Sequence, residues 1–178
     1  HRIINALVVM LTPILAFTTE EIWTHLRRPG QVESVQMLTW PEVNDDLQDA
    51  ALEKRMDRLL QAREVVTKAL EEARVRKIIG HSLGARVALY TDSEWNEVLP
   101  GAEELARMFI VSRVEVDTPD KKPADALALE EVRGLWVAVQ AAQGGKCERC
   151  WVIDTSVGDD QQHPCLCQRC AGVVKELP

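Results

Sequence analysis

Two Cys-x-x-Cys pairs, Cys147/Cys150 and Cys167/Cys170, stand with sixteen residues between them. This spacing constrains the chain more than any other feature. Each pair sets two sulfurs about one ion's width apart, and the loop between lets the pairs face each other across a tetrahedral metal. Four thiolates leave no position for water, so the ion such a site takes is structural. One Zn2+ is the expectation, although a rubredoxin-like iron uses the same ligands and two disulfides use the same atoms. A fifth cysteine, Cys165, is spaced too tightly against Cys167 to form a knuckle, and it is left out of the ligand set. His163, in the same loop, is a candidate substitute for one thiolate.

The rest of the chain limits what surrounds this module. With 21 Lys+Arg against 28 Asp+Glu the net charge is −7, which excludes a uniformly basic nucleic-acid clamp and leaves only local patches. One such patch is the stretch 53–77, with eight basic and five acidic residues. No apolar run is long enough to span a membrane, and residues 3–17 lack the leader and cleavage pattern of a signal peptide. Reduced thiols without a targeting signal point to the cytoplasm. A first residue of His inside a helical pattern suggests a piece of a longer protein.

Periodicity divides the chain into four parts. In 1–46, Ile3, Ile4, Leu7, Val8 and Leu11 fall at helical spacing. Pro13 breaks that helix, and Thr18 to Glu21 reads as a capping box starting a second one, stapled by Phe17 and Ile22. Residues 34–40 look β-like. In 47–84 one long helix carries a stripe of Leu52, Met56, Leu59, Val66, Leu70 and Ala73, broken by Arg63 and stopped by Gly80. In 85–143 a small unit alternates between strand and helix. Its strands are expected at 85–91, 108–116 and 132–142, with Asp92 or Ser93 capping a short helix, a helical turn at 102–107 and a polar loop over 117–131. Gly144-Gly145 is read as a hinge to the module at 144–178. The fold class is therefore α+β: the C-terminal part of a helix bundle, one long helix, a small three-stranded α+β unit, and a treble- or knuckle-type zinc module with four cysteine ligands.

Catalytic chemistry is not visible. His1, His25, His81 and His163 are scattered and read as surface or packing residues, and Gly80 to Gly84 lacks the Lys-Ser/Thr of a phosphate loop. RNA-contact candidates are Lys146, Arg149, Trp151 and Arg169 around the knuckles, with Arg74, Arg76 and Lys77 (and Arg86 beyond them) as a second basic run. An aromatic beside arginines suits stacking on an unpaired base. The alternative for Trp151 is a lid that shields the metal, and for the basic run a solvated helix end.

Three stretches carry a resemblance. HRIINALVVMLTPILAFTTEEIW and REVVTKALEEARVRKIIGHSLGARVALY are similar to the end of the anticodon-binding domain of isoleucyl-tRNA synthetases and the junction after it. GGKCERCWVIDTSVG with HPCLCQRC resembles the zinc module that closes the bacterial-type enzymes. The resemblance implies a C-terminal fragment that holds tRNA(Ile) as a monomer alongside the rest of the synthetase chain. ATP and the activation of isoleucine would belong to a catalytic domain whose motifs are absent here. It implies Cys147, Cys150, Cys167 and Cys170 as ligands and gives Cys165 no part. A runner-up is the zinc-finger tail of a formamidopyrimidine-type DNA glycosylase, and a third reading is a purely structural module.

Overall fold

A computed structural model describes residues 2–176; His1 lies outside them. The chain forms two compact units, 1–49 and 50–178. In the first, α1 (Arg2–Leu11) and α2 (Ala16–Leu26) pack together and enclose Val8, Trp23 and Val35. Pro13 ends α1 as its missing N–H requires. The capping box does not form. Helix α2 starts two residues early, at Ala16, and the Thr19 hydroxyl turns back onto the Leu15 and Ala16 carbonyls. Phe17 is left 94% exposed, so there is no staple. Residues 34–40 form no strand either. Ser34 caps a single 3-10 turn, Val35–Met37, and buries Val35 under the Trp23 indole, whose N–H reaches the Val32 carbonyl at 3.1 Å. Val35, with Leu38 packed beside the same cluster, explains an apolar spot that mimics alternation.

The second unit is a four-stranded sheet with helices on one face. Helix α3 (Ala50–Val75) buries Leu59, Ala62, Val65, Val66, Ala69, Leu70 and Ala73. The predicted stripe is right over its last two-thirds, while Leu52 and Met56 stay exposed beyond the edge of the sheet's core. Arg63 is exposed and interrupts nothing. The stop is not Gly80 but Lys77, which takes φ 59° while Ile78 N–H donates to Ala73 and Lys77 N–H to Arg74. That is a Schellman ending built on a residue other than glycine.

Strand β1 (Ala85–Thr91) alternates buried and half-buried along its whole length. Asp92, not Ser93, caps α4 (Ser93–Val98) by accepting from the Trp95 amide at 3.1 Å. Helix α5 (Ala102–Phe109) takes up Met108 and Phe109, which were expected in a strand. Phe109 falls one turn after Leu105, and both are buried on the same helix face. Strand β2 thus begins only at Arg113 and runs to Asp117. The loop 117–131 hides a further strand, β3 (Leu127–Leu129), against β4 (Val132–Ala141). The sheet order is β2-β1-β4-β3, with β1 and β2 parallel and the other pairs antiparallel. A strand hairpin β5 (Gly145–Lys146) and β6 (Ile153–Asp154), and then α6 (Gln168–Lys175), complete the chain.

Ile110 ends α5 in the left-handed region at φ 57°, with Val111 N–H on Ala106 and Ile110 N–H on Arg107. A β-branched residue is a poor occupant of that region, at a penalty of roughly 1–2 kcal/mol that glycine avoids. Glycine returns part of this through its freer unfolded chain. Because Ile110 is half exposed and little packing is lost, Ile110→Gly is expected to raise stability by about 1 kcal/mol or less. A lowered denaturation midpoint would contradict this.

Candidate metal centre

The turn after each Cys-x-x brings its second sulfur back to the first. Cys147 N–H donates to Val152 and Trp151 N–H to Cys147, closing the first knuckle at 2.9 and 2.8 Å. Cys167 stands at the N-cap of α6, so Cys170 returns on the first helical turn. The four ligand atoms of Cys147, Cys150, Cys167 and Cys170 lie within 4.8 Å of one another, and Cys150 and Cys167 sulfurs are 3.8 Å apart. A zinc–sulfur bond of about 2.3 Å in a tetrahedron requires sulfurs about 3.8 Å apart, so the donor set fits that ion. No cysteine is in a disulfide. Cys165 is exposed and outside the cluster; His163 is half-buried and also outside it, its amide instead joining an Asp160 turn.

The electrostatics of the cluster ask for a cation. Burial opposes ionisation of Cys147, but the amides of Cys150, Cys167 and Arg149 hold its thiol down to about 6. Burial pushes the Cys167 thiol up to about 12, against its Cys170 amide contact and with the neighbouring thiols adding to the rise. Amide contacts thus favour the thiolate at Cys147, while burial first and the neighbouring thiols second oppose it at Cys167. Cys147, Cys150, Cys167 and Cys170 would hold a divalent ion, whose charge would favour the thiolate form of all four.

The RNA candidates separate into two groups. Around the knuckle, Trp151 is 60% exposed with the Lys146 ammonium 5.4 Å from its ring centre. More than half of the ring faces solvent. Its backbone sits at φ 64°, a region that favours glycine, so the turn holds a large ring out to solvent at a conformational penalty. Arg149 and Arg169 lean inward, with guanidinium nitrogens 3.6 and 3.8 Å from the Cys170 sulfur. Hydrogen bonding to Cys150, together with the charge of Cys170, raises the Arg169 pKa. Arg74, Arg76 and Lys77 lie at the end of α3, where Arg76 pairs with Glu72 at 3.4 Å. No hydrogen bond or ion pair among the described residues joins them to the first group. Arg86 is committed to Glu115, which also holds Arg113 at 3.0 Å. Both arginines hold the Glu115 carboxyl below its usual range, Arg86 foremost through its hydrogen bond, with burial opposing.

Gly144 and Gly145 are not a free hinge. A Cβ on Gly144 would lie 2.3 Å from the Asp154 carbonyl carbon, and one on Gly145 would lie 3.0 Å from Val157. Both glycines let β5 close on β6 and the turn after it. Sequence reasoning missed this, along with Ser112, Asp154 and Ser156 beside the module; only the Gly-Gly and Asp-x-Ser patterns hinted at tight turns.

Residues 1–89 match the anticodon-binding domain of tRNA ligase, and residues 144–172 match the zinc finger found in FPG and IleRS. The chain belongs to the anticodon-binding family of tRNA ligases. It is 61% identical over 177 residues to an isoleucine–tRNA ligase of Syntrophomonas wolfei. It is 49% identical over 182 residues to the one of Moorella thermoacetica and 49% over 178 to that of Desulforamulus reducens. Each alignment takes in 99% of this chain and 19% of the relative, so the chain spans about a fifth of the length of the curated relatives it matches. The glycosylase reading shares the finger alone; the match over residues 1–89 is to the ligases. No helix among the described residues is long and apolar enough to cross a membrane.

Proposed function

We propose that this chain is the C-terminal tRNA-holding part of an isoleucine–tRNA ligase. It would act as one chain per tRNA(Ile), in the cytoplasm, with ATP and isoleucine handled by the remainder of the synthetase. Cys147, Cys150, Cys167 and Cys170 hold one structural zinc. The ion supplies rigidity and charge, and the chain's own residues do the binding. Lys146 and Trp151 present a cation and an aromatic face on the fixed knuckle, suited to a phosphate and an unpaired base. Arg149 and Arg169 each direct part of a five-donor guanidinium at Cys170 and keep the remaining donors for phosphate. Arg74, Arg76 and Lys77 add a second, looser cationic contact.

The observation that carries this reading is Trp151: a mostly exposed ring held out by a strained backbone on a rigid knuckle. In the full ligase, Trp151→Ala is expected to leave isoleucine activation unchanged and to weaken tRNA(Ile) binding by roughly 1–3 kcal/mol. Zinc content stays at one per chain. Arg149→Ala and Arg169→Ala lower the salt dependence of binding, each by about one unit of slope in log affinity against log salt. Equal losses in activation and transfer would assign the module to fold support. Zinc loss from Trp151→Ala with an unchanged salt slope would return the ring to the role of a shield.

A further inference from the structure

One side-chain hydroxyl stands at the seam between the metal module and the sheet. Ser112, immediately before β2, donates its O–H to the Leu83 carbonyl at 2.5 Å and accepts the Ile153 amide at 2.8 Å. Its own amide donates to Ala85 at 3.1 Å. Leu83 belongs to the turn that leads into β1, and Ile153 opens β6, two residues after Trp151. A serine has one proton to give, and here it is given to one side of the seam while a lone pair takes the other.

The contacts continue into the second cysteine pair. Asp154, next to Ile153, accepts from both the amide and the hydroxyl of Ser156, at 2.8 and 2.5 Å. The Ser156 oxygen in turn accepts the Gln168 amide at 3.0 Å, beside Cys167. The Ser156 contacts hold the Asp154 carboxyl below its usual range against burial, with the Arg113 charge on β2 helping from across the seam. Ala142 N–H donates to Gly84 at 2.8 Å, tying the end of β4 to the same turn. The module is thus connected to one end of the sheet, beside the central strands β1 and β4, through short polar links.

We propose that Ser112 is a positioning residue that fixes the orientation of the metal module, and with it Trp151, relative to the four-stranded sheet. Without the hydroxyl, the Ile153 amide and the Leu83 carbonyl lose their shared partner in a part-buried seam. The module then loses its fixed orientation on the sheet while its metal core stays intact. The consequence for RNA, that Trp151 meets its base in one pose, rests on the tRNA-holding reading; the orientation itself does not.

The test uses the zinc-loaded chain of residues 1–178 and compares Ser112→Ala with Ser112→Thr, which keeps the hydroxyl. In Ser112→Ala, hydrogen exchange at the Ile153 amide rises about tenfold, the loss of one hydrogen bond. Nitrogen-15 relaxation gives residues 146–175 a shorter correlation time than the sheet, and zinc stays at one per chain. Ser112→Thr keeps both readouts near wild type. Unchanged exchange and common tumbling in Ser112→Ala overturn the proposal, and so does release of zinc, which would make the hydroxyl a support of the module's fold. In the full ligase, Ser112→Ala lowers tRNA(Ile) affinity in the wild-type background and has no further effect in Trp151→Ala, the non-additivity of residues that act together. Equal losses in both backgrounds overturn the link to Trp151. If neither single variant alters affinity while the relaxation difference persists, the RNA reading fails and the positioning of the module stands.

Discussion

Stripping the metal with a chelator will unfold residues 144–176 and leave the helices and the four-stranded sheet folded. Among the described residues of the module the buried side chains are Cys147, Cys167, Cys170 and Ala171, with Val157 and Leu166 packed beside the sulfurs. Burial on that scale cannot order about thirty residues, each of which loses about 1–2 kcal/mol of backbone freedom on folding. Metal binding to a site of this kind contributes about 10–16 kcal/mol of apparent free energy, which is the larger share of what holds the module. The metal-free chain is expected to keep its helical circular-dichroism signal while all five thiols react with a thiol reagent. Ligand assignment follows from two single variants: Cys167→Ser loses tight zinc binding and Cys165→Ser retains it. The reverse pattern would contradict the ligand set of Cys147, Cys150, Cys167 and Cys170.

That site was open to sequence reasoning because its chemistry is local. The two short Cys-x-x-Cys spacings fix the geometry of each pair, and the structure brings the pairs together as the spacing requires. Strand β1 was equally plain, since its alternation of buried and half-buried residues follows from having helices on one face only. What escaped depended on distant partners. Strand β3 is three residues inside a polar loop and exists only because β4 offers it an edge. The parallel pairing of β1 and β2 requires the α4–α5 crossover, and no residue within either strand announces it. The left-handed caps at Lys77 and Ile110 carry side chains that propensity places elsewhere. The inward lean of Arg149 and Arg169 is set by the Cys170 sulfur, so sequence could name the residues but not their direction.

Replacing Trp95 with alanine will destabilise the sheet-bearing unit by roughly 3–5 kcal/mol, the range for deleting a fully buried aromatic side chain. Trp95 has no exposed surface. Its indole N–H donates to the Arg133 carbonyl of β4 at 2.8 Å, and the Arg58 guanidinium of α3 lies 4.1 Å from its ring centre. One side chain on a six-residue helix therefore ties α3 and β4 together, and α4 is too short to hold its place without it. Alanine leaves a cavity and also strips the Arg133 carbonyl of its partner. Trp95→Phe keeps most of the volume and loses the donor, with an expected loss of about 1–3 kcal/mol from the unpaired carbonyl. Arg58→Ala in the Trp95→Ala background should then lose less than in wild type, by about 0.5–2 kcal/mol of cation–π coupling. Urea unfolding of the zinc-loaded chain, followed by amide signals of β1 and β4, reads all three. A loss below about 1 kcal/mol for Trp95→Ala would mean that the core closes without it, contrary to the burial seen here. Because the metal sets the module's stability separately, zinc should remain bound through the first part of that transition. The sheet is then lost before the knuckle, the opposite order to chelation.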